Sequence, residues 1–165
     1  MKTVYLIGGT MGVGKTTVSK ILASKLENSV FLDGDWCWDM HPFTVCEETK
    51  DMVMKNITFL LNNFLSCSVI DNIVFCWVMH EQQIIDDIIS KLCAENAKIF
   101  KISLVCSPEA LEKRLKKDIE NGVRNIDIIE RSIKRIPLYN KLDTVKINVS
   151  DISAETAAGI ISKLQ

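Results

Sequence analysis

The chain has 165 residues, of which 47% are hydrophobic and 25% are charged, a composition typical of one globular domain. Its 20 Lys and Arg residues balance 21 Asp and Glu residues, and the net charge of −1 argues against binding of nucleic acid or an anionic membrane through bulk charge. The apolar runs are shorter than the ~18 residues of a transmembrane span, and the N-terminal run is too short for a signal peptide.

Five short apolar runs predict β-strands, which in chain order are Val4–Ile7, Val30–Leu32, Ile73–Met79, Ile99–Val105 and Val145–Val149. Between and after them, apolar residues recur at helical spacing and predict six helices. These are Lys15–Leu26, a stripe from Val53 to Phe64 after a capping-box pattern at Thr44–Glu47, a stripe from Ile84 to Leu92, a helix that begins at Ser107-Pro108 and ends at Gly122, a stripe from Ile129 to Ile136 that ends at Pro137, and a short helix capped by Ser153. Strands that alternate with helices predict an α/β domain with one parallel sheet covered on both faces.

The sequence contains no visible internal repeat or linker, so residues 1–165 are predicted to form a single domain. The six cysteines lie far apart with no Cys-x-x-Cys pair, which predicts reduced thiols and a cytoplasmic protein. The oligomeric state is left open by the sequence.

Gly9–Thr16 reads G-T-M-G-V-G-K-T and matches the phosphate-binding pattern G-x-x-x-x-G-K-[ST] at every specified position. A predicted strand precedes this P-loop and a predicted helix follows it. Glycines let backbone N–H groups approach a phosphate chain closely, and a helix N-terminus attracts the same anion. We therefore expect a nucleotide to be bound by Gly9, Met11, Gly12, Val13, Gly14, Lys15, Thr16 and Thr17.

Two side chains of the P-loop carry specific chemistry. Lys15 is expected to supply positive charge to the β- and γ-phosphates, and the Thr16 hydroxyl is expected to bind Mg²⁺. ATP and Mg²⁺ are the predicted cofactors, but the pattern does not distinguish ATP from GTP.

Asp33-Gly34-Asp35 follows the second predicted strand, at the edge of the sheet where α/β proteins bind ligands. One of two carboxylates in this spacing can hold Mg²⁺ through water, while the other accepts the proton of an attacking hydroxyl. The residues alone do not decide which carboxylate has which role.

The P-loop, the segment Phe31–Asp35 and the segment Arg135–Tyr139 together resemble the shikimate-kinase-like group of small P-loop kinases. This group includes gluconate kinases, and antibiotic phosphotransferases resemble it. The resemblance implies the P-loop NTPase fold, an α/β three-layer sandwich with a five-stranded parallel sheet in the order 2-3-1-4-5. It also implies a lid between the fourth and fifth strands, at about residues 121–133.

The same resemblance implies roles for four residues. Asp33 would assist Mg²⁺ binding, and Asp35 would meet the acceptor hydroxyl. Arg124 would be the lid arginine that reaches the transferred phosphoryl group, and Arg135 would bind or orient the acceptor. Shikimate kinases also hold the substrate carboxylate with an arginine on the helix after the D-x-D, whereas this chain has no arginine before Arg114. This departure argues against shikimate as the acceptor.

Near the expected acceptor site, the sequence is rich in aromatic residues and contains no arginine before Arg114. Trp36 and Trp38 follow Asp35 directly, and Trp77 and His80 close the third predicted strand. Amphipathic rings can stack on a sugar or a heterocycle. The predicted acceptor-binding residues are therefore Asp35, Trp36, Trp38, His80 and Arg135.

Together these features predict a kinase that phosphorylates a hydroxyl of a small molecule, such as a sugar, a nucleoside or an antibiotic-like alcohol, with Lys15, Asp35 and Arg124 as catalytic residues. A nucleoside monophosphate kinase is an alternative, since an acceptor phosphate could be held by Arg135, Lys50 or Lys55. A nucleotide-binding regulatory module with slow or no hydrolysis is a second alternative.

Overall fold

The structure is a computed structural model and describes residues 1–122 and 127–164. The described strands are β1 (Lys2–Gly8), β2 (Ser29–Asp33), β3 (Asn72–Cys76), β4 (Ala97–Val105) and β5 (Val145–Asn148). The described helices are α1 (Lys15–Lys25), α2 (Glu47–Ser66), α3 (Gln82–Ser90), α4 (Pro108–Glu120), α5 (Ile128–Asn140) and α6 (Ala154–Ile161). A 3₁₀ turn, Gly34–Cys37, follows β2 directly.

The described strands form one parallel sheet in the order β2-β3-β1-β4-β5, which confirms the predicted order. The central strand is β1, in which Ile7 lies opposite Cys76 of β3 and Ile102 of β4. Because parallel strands end at the same edge, the segments after β1, β2 and β3 lie next to one another. These segments contain the P-loop, the D-x-D and Trp77–His80, so the sheet brings the predicted functional residues to one edge.

Alternating side chains of β1 divide the core into two halves. Tyr5 and Ile7 pack with residues of α1, α4 and α6, whereas Val4 and Leu6 pack with residues of α2 and α3 on the opposite face. All four side chains are at most 4% exposed, because the central strand of a covered parallel sheet is buried on both faces. The result is the predicted three-layer arrangement of helices, sheet and helices.

The start of α2 differs from the prediction of a capping box at Thr44–Glu47. The Thr44 hydroxyl donates to the Pro42 carbonyl at 3.2 Å and does not cap the helix. Instead, Cys46 is the N-cap residue, and its backbone N–H donates to Oγ1 of Thr49 at 2.9 Å. The helix begins at Glu47, so Thr44 lies before its N-cap position and the predicted cap residue is wrong.

The end of α5 also differs from the prediction, since the helix continues through Pro137 to Asn140. Proline lacks an N–H and costs a helix interior about 3 kcal/mol. Tyr139 offsets this cost, because its side chain is only 1% exposed and its hydroxyl donates to the Val78 carbonyl at 2.5 Å. A buried anchor beyond the proline thus keeps the last turn helical.

Within the two described ranges, no helix has both the length and the apolar character needed to cross a bilayer.

Candidate active site

The P-loop runs from the end of β1 to the start of α1 and packs against α4. Gly14 is the N-cap residue of α1 with φ +104°, a left-handed conformation that favours glycine. At Gly12, where φ is +81°, an added Cβ would lie 2.3 Å from Cδ2 of Leu115. The close approach of α4 therefore requires glycine at this position as well as the loop conformation itself.

Two cations make hydrogen bonds to the P-loop backbone. Lys15 Nζ donates to the Thr10 carbonyl at 3.0 Å, so the lysine lies along the loop that would hold the phosphates. Arg114 of α4 donates through Nη1 to the Val13 carbonyl at 3.1 Å and through Nη2 to the Val149 carbonyl. Arg114 supports the loop and was not identified from the sequence, because it stands in a helical run of alternating charges that gives no signal.

Thr16 and Asp33, the predicted Mg²⁺ residues, lie in direct contact. Thr16 Oγ1 donates to Oδ2 of Asp33 at 2.7 Å, and Oδ1 of Asp33 accepts from the backbone N–H of Asp35 at 3.1 Å. Asp33 is 6% exposed at the end of β2. A hydroxyl and a carboxylate are the hard oxygen donors that Mg²⁺ prefers, so the donor set fits this ion.

Cys76 lies beside this oxygen pair, since it is opposite Asp33 in the pairing of β2 with β3. Burial and the nearby Asp33 carboxylate raise the pKa of the Cys76 thiol to about 12. The thiol therefore stays protonated at neutral pH and adds no charge to the site.

A cavity of about 900 Å³ opens next to the P-loop. Its walls come from the P-loop, the segment after β2, α2, the segment after β3, α3 and α5. It brings together six of the residues predicted from the sequence, namely Met11, Lys15, Asp35, Trp38, His80 and Arg135. The cavity thus joins the P-loop lysine to the predicted acceptor residues in one space.

One wall of the cavity is aromatic. The Trp38 ring packs edge-on against Phe43 and Trp77, with centroid distances of 4.9 Å and 5.9 Å. Trp77 in turn packs on Gly34, where an added Cβ would lie 2.6 Å from Cγ of Trp77. The glycine of the D-x-D therefore makes room for this wall. Phe43, which follows Trp36 and Trp38 in the sequence, completes this wall through its contact with Trp38.

His80 and Arg135 lie on the side of the cavity formed by the exit of β3 and by α5. Burial, together with the positive charge of Arg135, lowers the pKa of His80 despite the opposing Glu81 carboxylate. The His80 side chain is therefore neutral at pH 7. Arg135 forms no ion pair with a carboxylate in the described part of the chain, so its charge remains available to a ligand.

The remaining predicted site residues lie elsewhere. Trp36 is 57% exposed, packs on Phe31 and lies under Lys20, and it does not line the cavity. Arg124 lies outside the described residues, and the predicted lid, 121–133, includes the four residues 123–126 that are not described. The described part of that segment includes Arg131, which lines the cavity from α5 and was not among the predicted site residues.

Comparison with known proteins gives a family and several relatives. The family described as AAA domain matches residues 6–135. A shikimate kinase of Caldicellulosiruptor saccharolyticus is 28% identical over 174 residues, which cover 96% of this chain and 92% of that protein.

Solved structures share the fold over nearly the whole chain. A tunicamycin resistance protein of Deinococcus radiodurans has a TM-score of 0.73 at 13% identity and covers 98% of this chain and 94% of its own. A gluconokinase of Sinorhizobium meliloti has a TM-score of 0.68 at 14% identity, with the same coverage of both chains. These likenesses confirm the fold class that the sequence predicted.

Proposed function

Since the chain belongs to the AAA domain family, in the group of small P-loop kinases, we propose that it transfers the γ-phosphoryl group of Mg-ATP to a hydroxyl group. The acceptor is a ring-containing small molecule, such as a sugar, a nucleoside or an antibiotic-like alcohol. One observation carries this proposal: Lys15 and Asp35 line the same cavity, and aromatic side chains line it as well. A site for nucleotide hydrolysis alone has no need of a large aromatic pocket beside the P-loop lysine.

On the nucleotide side, backbone N–H groups of the P-loop hold the phosphates, and the Lys15 ammonium stabilises charge on the transferring group. Thr16 and Asp33, in contact at 2.7 Å, would hold Mg²⁺. When bound, this ion neutralises phosphate charge. Asp33 also accepts the backbone N–H of Asp35, which keeps the second carboxylate close to the metal site.

On the acceptor side, Asp35 orients the hydroxyl and accepts its proton as the oxygen–phosphorus bond forms. The ring of the acceptor packs against Trp38 and Trp77, and amphipathic aromatic walls suit sugars and heterocycles. Neutral His80 can share a hydrogen bond with a second hydroxyl, and Arg135 binds an electron-rich group. Catalysis is then mainly positioning and charge stabilisation.

A nucleoside monophosphate kinase is the second candidate, because Lys50, Arg131 and Arg135 all line the cavity. Two of these cations are partly neutralised, since Lys50 pairs with Glu47 at 2.8 Å and Arg131 pairs with Asp127 at 3.4 Å. Lys55, the other lysine considered, pairs with Asp51 at 2.6 Å and does not line the cavity. Among the described arginines that line the cavity, Arg135 alone has no carboxylate partner, which favours an acceptor with at most one anionic group.

The test is Mg-ATP turnover by the purified protein against a panel of sugars, nucleosides, nucleoside monophosphates, shikimate and hydroxylated antibiotics. The proposal expects one neutral, ring-containing acceptor class to stimulate ADP release. Stimulation by nucleoside monophosphates alone would support the second candidate. Nucleotide binding without stimulation by any acceptor would support the regulatory module instead.

A further inference from the structure

Thr10 connects the P-loop to a distant helix. Its side chain is 2% exposed, and its hydroxyl donates to the Ser132 carbonyl in α5 at 2.8 Å, across 122 residues of sequence. Its own carbonyl accepts the 3.0 Å hydrogen bond from Lys15 Nζ. One residue thus contacts both the P-loop lysine and the helix that carries Arg131 and Arg135.

The phosphate-binding pattern does not require a hydroxyl at this position. It specifies glycines, the lysine and the following Thr or Ser, and any residue can stand where Thr10 stands. A buried hydroxyl there needs a partner, and it finds one in α5 and not in the loop. The contact is therefore a feature of this chain beyond what nucleotide binding demands.

The α5 helix makes polar contacts on either side of a proline, in addition to the core packing of Ile128, Ile129, Ile133 and Ile136. Beyond Pro137, the Tyr139 hydroxyl donates to the Val78 carbonyl. Before it, Thr10 holds the turn that contains Ser132, whose own hydroxyl has no partner among the described residues. Pro137 cannot donate to the Ile133 carbonyl, so the two parts of α5 are joined by a weakened turn. The Thr10 contact therefore helps to fix the orientation of the first part, together with its packing on the core.

We propose that Thr10 is a positioning residue that couples nucleotide binding in the P-loop to the placement of Arg131 and Arg135 in the cavity. When phosphates draw Lys15 away from the Thr10 carbonyl, the loop adjusts, and the Thr10 hydroxyl transmits this adjustment to α5. Nucleotide and acceptor then strengthen each other's binding, since such coupling is reciprocal. The inference rests on the proposed function for its acceptor part, but its nucleotide part does not depend on any acceptor.

The experiment measures hydrogen exchange of the α5 amides with and without Mg-AMPPNP, a non-hydrolysable ATP analogue. In the wild type, nucleotide binding is expected to slow exchange in α5 by at least ~5-fold, the lower end of typical coupling. Thr10→Val keeps the branched shape but lacks the hydroxyl, and it should lose this response. Thr10→Ser restores a hydroxyl and should recover it.

Thr58→Val is the matched control. Thr58 is also buried, at 7% exposure, but its hydroxyl donates to the Met54 carbonyl within its own helix. This variant should respond like the wild type. Thr10→Ala is a second variant without the hydroxyl, so that a folding defect specific to valine does not decide the result.

The inference is wrong if Thr10→Val and Thr10→Ala bind Mg-AMPPNP and still slow α5 exchange as the wild type does. Equal loss in Thr10→Ser and Thr10→Val would also overturn it, because the hydroxyl would not be the cause. Failure of the wild type to bind Mg-AMPPNP is a different outcome and would overturn the proposed function. With an acceptor identified, Thr10→Val should raise the acceptor KM ~10-fold while the nucleotide Kd changes less.

Discussion

The nucleotide side and the acceptor side of this site are built in different ways. The nucleotide side comes from one short stretch, the P-loop and the start of α1, with Asp33 as the main addition from another strand. The acceptor side is assembled from α2, α3, α5 and the segments after β2 and β3. A site made of contiguous residues can be recognised from one sequence motif. The residues of a site made of several segments can be identified only once the fold is known.

Charge follows the same division. On the nucleotide side, Lys15, Thr16 and Asp33 lie within hydrogen-bond distance of loop or strand groups that fix their positions. On the acceptor side, both positively and negatively charged side chains line the cavity, and some of them form ion pairs with each other. Under the proposed function, the first region would bind a phosphate chain, and the second would select its ligand through shape and aromatic surface. The following predictions separate the two regions.

Lys15→Ala should have the largest effect. The loss of a positive charge that stabilises the transferring phosphoryl group should lower kcat for ATP turnover by about 10³-fold. Lys20→Ala is the control, because Lys20 is on the same helix but lies over the Trp36 ring, away from the cavity. Equal losses in the two variants would mean that Lys15 has no special role.

Asp35→Asn should lower kcat by about 10²-fold with little change in nucleotide affinity. This loss is at the lower end of the rate contribution expected from general base catalysis, since little proton transfer has occurred in a loose transition state. Asp39→Asn, in the same cavity, is the matched control. Steady-state kinetics with the active acceptor measure kcat, and direct titration with nucleotide measures the nucleotide Kd. A raised nucleotide Kd in Asp35→Asn would assign this carboxylate to the nucleotide side.

Trp38→Ala should raise the acceptor KM by about 10-fold and leave the nucleotide Kd unchanged, because it removes part of the aromatic wall. Trp36→Ala should change neither value, since that ring is exposed and outside the cavity. If Trp36→Ala weakens acceptor binding as much as Trp38→Ala, then Trp36 binds the acceptor, as the sequence predicts, and the acceptor site extends beyond the cavity.

The smallest effect concerns pH and His80. Because the pKa of His80 is lowered in the folded protein, the unfolded chain takes up a proton near pH 6.5 that the folded chain resists. Stability from this residue is therefore complete above pH 6.5 and falls as the pH drops below that value. Thermal unfolding between pH 7.5 and pH 5.5 should show a smaller loss of Tm in His80→Asn than in the wild type, and identical pH slopes would contradict the lowered pKa.

Much of the fold was predictable from local pattern. Ser107 with Pro108 marks the start of α4, and Ser153 caps α6 as predicted. Prediction failed where tertiary contacts override local rules. Pro137 lies inside α5 because Tyr139 is anchored beyond it. Val78, the partner of Tyr139, is 61 residues away from it in sequence, and no local pattern predicts this contact.

The candidate site was predictable to the same extent. Thr16 and Asp33, which come from two separate motifs, lie in contact, and their roles in binding Mg²⁺ stay a prediction. In contrast, Trp36 and Trp38 have almost the same sequence context, yet one is exposed and the other lines the cavity, because the 3₁₀ turn Gly34–Cys37 rotates them apart. Side-chain direction in such a turn is set by packing against Trp77 and not by sequence spacing.

Phosphoryl transfer by this protein is followed most directly through the fate of the terminal phosphate of radiolabelled ATP. The protein is incubated with Mg²⁺, labelled ATP and the acceptor panel, and the label is separated into small-molecule ester, inorganic phosphate and protein. The label is expected to move to a hydroxyl of one ring-containing acceptor class, and Asp35→Asn is expected to slow this transfer by about 10²-fold. Label found in inorganic phosphate alone, at a rate that no acceptor changes, would contradict this expectation.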